Sequence, residues 1–291
     1  ISEELIENII PPKEEKINIS SEQKKLINND LEVFKKSNEN FLTEYGDLQN
    51  ENLKNINKFI ALNRWQQFSD NNGGVKGIYL SGYHFLIEEK IIPIKEIISN
   101  TVVNTLVLDV KTDNGHILYD SQIKEVDQLN NERIKYDKKT LKAFKEEFDI
   151  YLIGRIVAFQ DPLFSRKYPE SAIIDVATNS PYFQNGQYFL DPSDNKSKEY
   201  ILNIAVEACL LGFDEIQFDY IRYPDTSYQG LIYDEKSSFE NRTNNINSFL
   251  QNATDILHDI GCLTSADIFG YVLNAKNDNG IGQYLETIVN S

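Results

Sequence analysis

The stretch EIQFDYIRYP, residues 215–224, decides how the rest of the chain is read. Alternate side chains of an extended strand share a face, so Glu215, Gln217 and Asp219 point one way and Ile216, Phe218 and Tyr220 the other. A strand inside a parallel sheet should be apolar on both faces. Three polar side chains in a row on one face therefore call for a ligand cleft or a hydrogen-bond network. The long apolar pattern KEYILNIAVEACLLGF, residues 198–213, leads directly into this segment, as the helix of a βαβ unit leads into its strand.

The same alternation of short apolar runs and helical patterns extends outward on both sides. Strands are predicted at GIYLSG (77–82), TLVLDVK (105–111), IYLIGRIVAF (150–159) and CLTSADIFGY (262–271). Helices are predicted over 88–99, 138–147, 198–213 and 244–260, with a last one in IGQYLETIVNS, 281–291. The class is α/β with a parallel sheet, and five strands fit either an open sheet or part of an eight-stranded barrel. Residues 1–72 are rich in Lys, Glu, Asn and Ile, and Leu26, Ile27, Leu31, Phe34 and Phe41 recur near helical spacing. They read as a helical extension or linker outside the main fold. The turn-forming run DNNGG, 70–74, closes it and leaves 73–291 as the main domain.

Strand parity places Asp109 with Thr105, Val107 and Lys111, and Arg155 with Tyr151, Ile153 and Val157, while Asp267 follows Ser265. Carboxylates and cations thus gather at the C-terminal ends of strands, where barrels and doubly wound sheets bind ligands. Each has a plainer reading. Asp109 could pair with Lys111 or Arg155, Asp267 could cap a turn, and Asp214 serves a loop. Asp219, among Phe218, Tyr220, Arg222 and Tyr223, is hardest to explain that way. Of the aromatics that could stack on a ligand, Tyr79, Tyr83, Phe159 and Trp65 read as core, and Tyr220 and Tyr223 are kept. The Asp-Pro pairs at 161–162 and 191–192 are turn chemistry.

Composition narrows the function further. A formal charge of −16 and a pI near 4.7 disfavour nucleic acid, whose binding needs Lys and Arg to displace counterions. Cys209 and Cys262 lie in or beside apolar runs and read as buried thiols, with no disulfide framework. His84, His116 and His258 lack the close spacing of a zinc site, so neither metal nor cofactor is expected. No apolar run is long enough to span a membrane. The sequence begins at Ile1 without an initiator, as a chain whose targeting signal has been removed would.

At FDEIQFDYIRYP, 213–224, the chain resembles a bacterial glycoside hydrolase barrel family once catalogued as a domain of unknown function and distantly similar to α-amylase-like hydrolases. VKGIYLSGY (75–83), TLVLDVKTDNGHILYDS (105–121), RIVAFQDPLFSRKYPESAI (155–173) and SADIFGY (265–271) look like its successive signatures, so the likeness spans 75–291. The resemblance implies a (β/α)8 TIM-type barrel, incomplete at the C-terminal end of this sequence, behind an N-terminal helical extension. It also implies hydrolysis of a polysaccharide or oligosaccharide, with export or attachment to the cell envelope. By that likeness Asp219 is the nucleophile or base. Asp267 is the acid, where the amylase-like pattern usually offers Glu. Glycosidic cleavage needs such a carboxylate pair. Asp109, Lys111, Arg155, Gln217, Tyr220, Arg222 and Tyr223 are then expected to bind substrate. The alternatives are a carbohydrate-binding barrel of the cell envelope without turnover, and a scaffold whose N-terminal helices bind partners.

Overall fold

The computed structural model describes residues 51–129, 135–226, 230–234, 236–274 and 276–291. The expected helical positions from Leu26 to Phe41 lie outside them. At the centre is one parallel sheet of five strands: β1 Gly77–Leu80, β2 Thr105–Lys111, β3 Tyr151–Val157, β4 Glu215–Asp219 and β5 Leu263–Ala266. They lie in the order β1-β2-β3-β4-β5, all parallel. Each strand is laid beside the one before it, as in consecutive staves of a β/α barrel, whereas a doubly wound sheet reverses its order at a switch point.

The longer helices are α1 Glu51–Asn72, α2 Glu88–Asn100, α3 Lys138–Phe148, α4 Pro162–Lys167, α5 Asn195–Leu211 and α6 Phe239–Asp259. Local chemistry starts four of them. Asp137, Asp161, Asp194 and Ser238 each accept a hydrogen bond from a backbone N–H three residues on, at the ends of α3, α4, α5 and α6. Pro162 at the start of α4 and the N-cap of Asp161 bear out the turn reading of that Asp-Pro pair. Asp191 does the same for the second pair, accepting from the backbone of Ser193 and Asp234.

The two faces of the sheet differ chemically. Leu106, Leu108 and Val110 of β2, Leu152 and Ile156 of β3 and Ile216 and Phe218 of β4 form one buried apolar cluster with the helices. Phe218 and Phe249 meet edge to face at 5.4 Å, and Gly154 lets Val110 and Phe213 close over β3, since a Cβ there would lie 2.9 Å from Val110 Cγ2. The other face carries Tyr79, Asp109, Arg155, Glu215, Gln217, Asp219 and Ser265. Helix α1 closes its lower end. Ala61 is buried, the Phe68 ring lies tilted against Tyr151 at 5.3 Å, and Arg64 pairs with Asp214 at 2.8 Å. The last helix of the extension is therefore docked on the fold and lies beside α6.

Three expectations are corrected. Parity put Lys111 beside Asp109, but the register of β2 on β3 shifts there, Asp109 facing Arg155 and Lys111 facing Ile156. The irregularity turns Lys111 into the interior. Its amine is fully buried against the carbonyls of Val157 (2.5 Å) and Gln160 (3.2 Å) and the carboxylate of Asp161 (3.1 Å). Cys209 and Cys262 are joined as a disulfide between α5 and the start of β5, with Cα atoms 6.0 Å apart. The closing helix is only Leu285–Ile288, because Ile281 and Gln283 instead bond the backbone of segments that leave the sheet.

Candidate active site

Polar side chains from β1 to β4, with Asp267 just beyond β5, build a row across the open face. Tyr79 of β1 donates its hydroxyl to Asp109 Oδ2 at 2.7 Å, and Arg155 of β3 donates Nη1 to Asp109 Oδ1 at 2.7 Å. The same guanidinium donates Nε (3.0 Å) and Nη2 (2.5 Å) to Asp219 Oδ2 on β4. Asp267, one residue beyond β5, accepts from Gln217 Nε2 at 2.9 Å. The row is oblique: Asp109 is in register with Arg155, Arg155 with Gln217, and Val157 with Asp219. Asp267 N bonds Phe218 O at 2.9 Å, continuing the ladder one residue past Ala266, so Asp267 stands beside Asp219.

Arg155 is held by two carboxylates on opposite sides, with the Tyr79 ring 5.6 Å from its centre. Burial opposes its positive charge, but the hydrogen bond to Asp109 and the charge of Asp219 outweigh that and raise its pKa above the ordinary arginine value. Tyr79 is pushed up to about 12 by burial and by its bond to Asp109. Asp267 is raised above the ordinary aspartate value, first by burial and then by the negative charge of Asp219. The charge of Arg155 and the Gln217 amide offset part of this. Two carboxyl groups thus stand on neighbouring strands, one gripped by a guanidinium and the other with its pKa raised, an arrangement that can serve acid–base chemistry.

Below this row Glu215 accepts from Tyr151 (3.2 Å) and Ser265 (2.5 Å), and burial raises its pKa. It belongs to a closed layer above α1. Above the row lies the rim. Arg222 sits 5.1 Å from the ring centres of both Tyr220 and Phe269, and Phe269 meets Tyr271 edge to face at 4.6 Å.

Of the nine residues expected in the site, seven therefore lie on this face or its rim: Asp109, Arg155, Gln217, Asp219, Tyr220, Arg222 and Asp267. Lys111 is sealed inside, as described. Tyr223 is buried too. Tyr220 adopts a left-handed backbone (φ 50°), which breaks the alternation after Asp219 and turns Tyr223 into the core, where it meets Tyr233 at 5.6 Å and Asn245 at 3.1 Å. Asp214 serves the structure as expected, accepting from Leu152 N and Lys145.

Two residues were not legible as site residues. Tyr79 reads as core in the sequence, yet it is 55% exposed, because β1 is an edge of the sheet. Gln283 is buried and spends its whole amide on the strand ends. It accepts from Phe269 N (2.8 Å) and donates to Ile221 O (3.1 Å) and Asp267 O (3.2 Å). One side chain thus ties together the segments that follow Asp219 and Asp267. Among the described residues no cluster of three or more His, Cys, Asp or Glu is placed to hold a metal ion, and no helix is long and apolar enough to cross a membrane.

Residues 77–291 match the family model described as "Putative glycosyl hydrolase domain". Among solved structures, a hypothetical protein from Ruminiclostridium thermocellum ATCC 27405 is 35% identical with a TM-score of 0.58, the match covering 66% of this chain and 98% of that one. A glycoside hydrolase family 20 β-N-acetylglucosaminidase matches at 12% identity and a TM-score of 0.45, over 66% of this chain and 42% of its own. The maltogenic α-amylase AmyB from Thermotoga neapolitana matches at 13% and 0.43, over 67% of this chain and 45% of its own. The chain thus spans less than half the length of these two hydrolases. No curated protein matches it.

Proposed function

The chain belongs to the glycosyl hydrolase family whose model it matches, and from that premise we propose that it cleaves glycosidic bonds of a polysaccharide, with Asp219 as nucleophile or base and Asp267 as acid. The observation that carries this reading is the pairing of the two carboxyl groups on neighbouring strands, one bonded to Arg155 and the other raised in pKa. Asp267 protonates the leaving oxygen while Asp219 attacks the sugar or activates water. The separation of the two carboxyl groups decides between attack by Asp219 with retained configuration and activation of water with inversion. Arg155 orients Asp219, Asp109 holds Arg155 from the far side, and Gln217 orients Asp267.

The one-directional strand order and the chemically distinct faces support a (β/α)8 barrel whose lumen face is the polar one. Extracellular or envelope-attached action belongs to the same proposal.

The test is release of reducing ends from a panel of bacterial and plant polysaccharides by the unaltered protein and by Asp219→Asn at equal folded concentration. Cleavage by the first and a loss of at least about 10³-fold in the second is expected. Cleavage retained in Asp219→Asn removes Asp219 from the mechanism. A polysaccharide that is bound but never cut by either protein makes the chain a binding module.

A further inference from the structure

The rim above the carboxyl pair is not used by the hydrolytic step. The Arg222 guanidinium lies 5.1 Å from the ring centres of both Tyr220 and Phe269, and its Nη1 donates to Tyr223 O at 3.1 Å. Among the described residues the arginines in ion pairs are Arg64, Arg155 and Arg242, and Arg222 has no carboxylate partner. Its in-plane edge keeps donors to spare. Phe269 is 39% exposed, yet Gln283 bonds its backbone N–H and the edge of Tyr271 supports its ring. Tyr220 is held in a left-handed backbone that non-glycine residues seldom adopt, and such conformations gather at ligand clamps.

A rigid, exposed ring beside a fork of N–H donors complements a pyranose, which offers a C–H face and an edge of hydroxyl groups. Phe269 and Tyr271 lie two and four residues beyond Asp267. A general acid stands on the leaving-group side of the scissile bond. We infer that Tyr220, Arg222, Phe269 and Tyr271 form the site for the pyranose that departs, so that the bond cleaved joins two sugars of a chain and not a sugar to a small aglycone. The inference rests on Asp267 being the acid.

The experiment is native affinity electrophoresis of Asp219→Asn through gels containing dextran, hydroxyethyl cellulose, galactan, chitosan or polygalacturonate. Asp219→Asn/Phe269→Ala and Asp219→Asn/Arg222→Lys are run beside it, and thermal midpoints within about 2 °C of the parent establish folding. At least one polysaccharide should retard the parent. Phe269→Ala should weaken that retardation about tenfold in apparent Kd, and Arg222→Lys, which keeps the charge and loses the planar fork, should weaken it also. Equal retardation of all three proteins overturns the site, and so does the absence of retardation by every polysaccharide. Failure of the hydrolase reading is a separate result, since it is seen as no reducing ends from the unaltered protein.

Discussion

The proposed acid role of Asp267 sets stability against catalysis. Its folded pKa is raised by burial and by the Asp219 charge, so its contribution to stability is fully present below the unfolded aspartate value of about 3.9 and is lost as pH rises through the folded value. Asp267→Asn, which keeps an acceptor for Gln217, should raise the thermal midpoint at pH 7. It should make no difference near pH 3, and it should abolish cleavage. On the proposed acid role, the unaltered protein should lose activity on the alkaline side as Asp267 ionises, a limb read from kcat/KM against pH. Lys111 makes the opposite kind of residue-scale prediction. Burial lowers its pKa against the pull of Asp161, and both side chains are fully buried. Lys111→Met should leave Asp161 without its counter-charge and cost about 3 to 5 kcal/mol in denaturant unfolding. An exposed ligand-binding lysine at the same position would cost almost nothing.

At the scale of elements, the strands and helices could be read because each carries its own signal: apolar runs for β2 and β3, an Asp or Ser cap for α3 to α6. The register between strands carried none. The irregularity between Asp109 and Lys111 and the left-handed turn at Tyr220 each reversed a parity argument that was sound up to that residue. The segment after residue 280 shows the same limit. It has a helical pattern, but Ile281 bonds Tyr223 N and Gln283 bonds Ile221 O, both across more than fifty residues of chain that no local window contains, while Gln283 also reaches the end of β5. Gln283→Leu keeps the size of the side chain and strands three backbone groups. It should lower stability by about 3 kcal/mol and reduce kcat more than it raises KM, because the carboxyl pair loses its relative placement. Unfolding and steady-state kinetics on one preparation check both.

At the scale of the molecule, the polar face is open toward the C-terminal ends of the strands and closed at the other by α1, whose Phe68 covers Tyr151 and whose Arg64 meets Asp214. Deleting residues 1–72 should lower the thermal midpoint by about 5 °C or more, since it uncovers Tyr151 and takes a cation from a buried carboxylate. An unchanged midpoint would mean that the extension is an independent unit. The sequence by itself determined the α/β class, the succession of five strands, the polar face of β4 and seven residues of the candidate site, because hydrophobic periodicity and helix caps are local and strand ends are where parallel sheets expose side chains. The tertiary structure alone decided the one-directional order of the sheet, the burial of Lys111 and Tyr223, the pairing of Cys209 with Cys262 and the bridging role of Gln283. These depend on register and on contacts between segments far apart in the chain, and such contacts form only when the whole core closes.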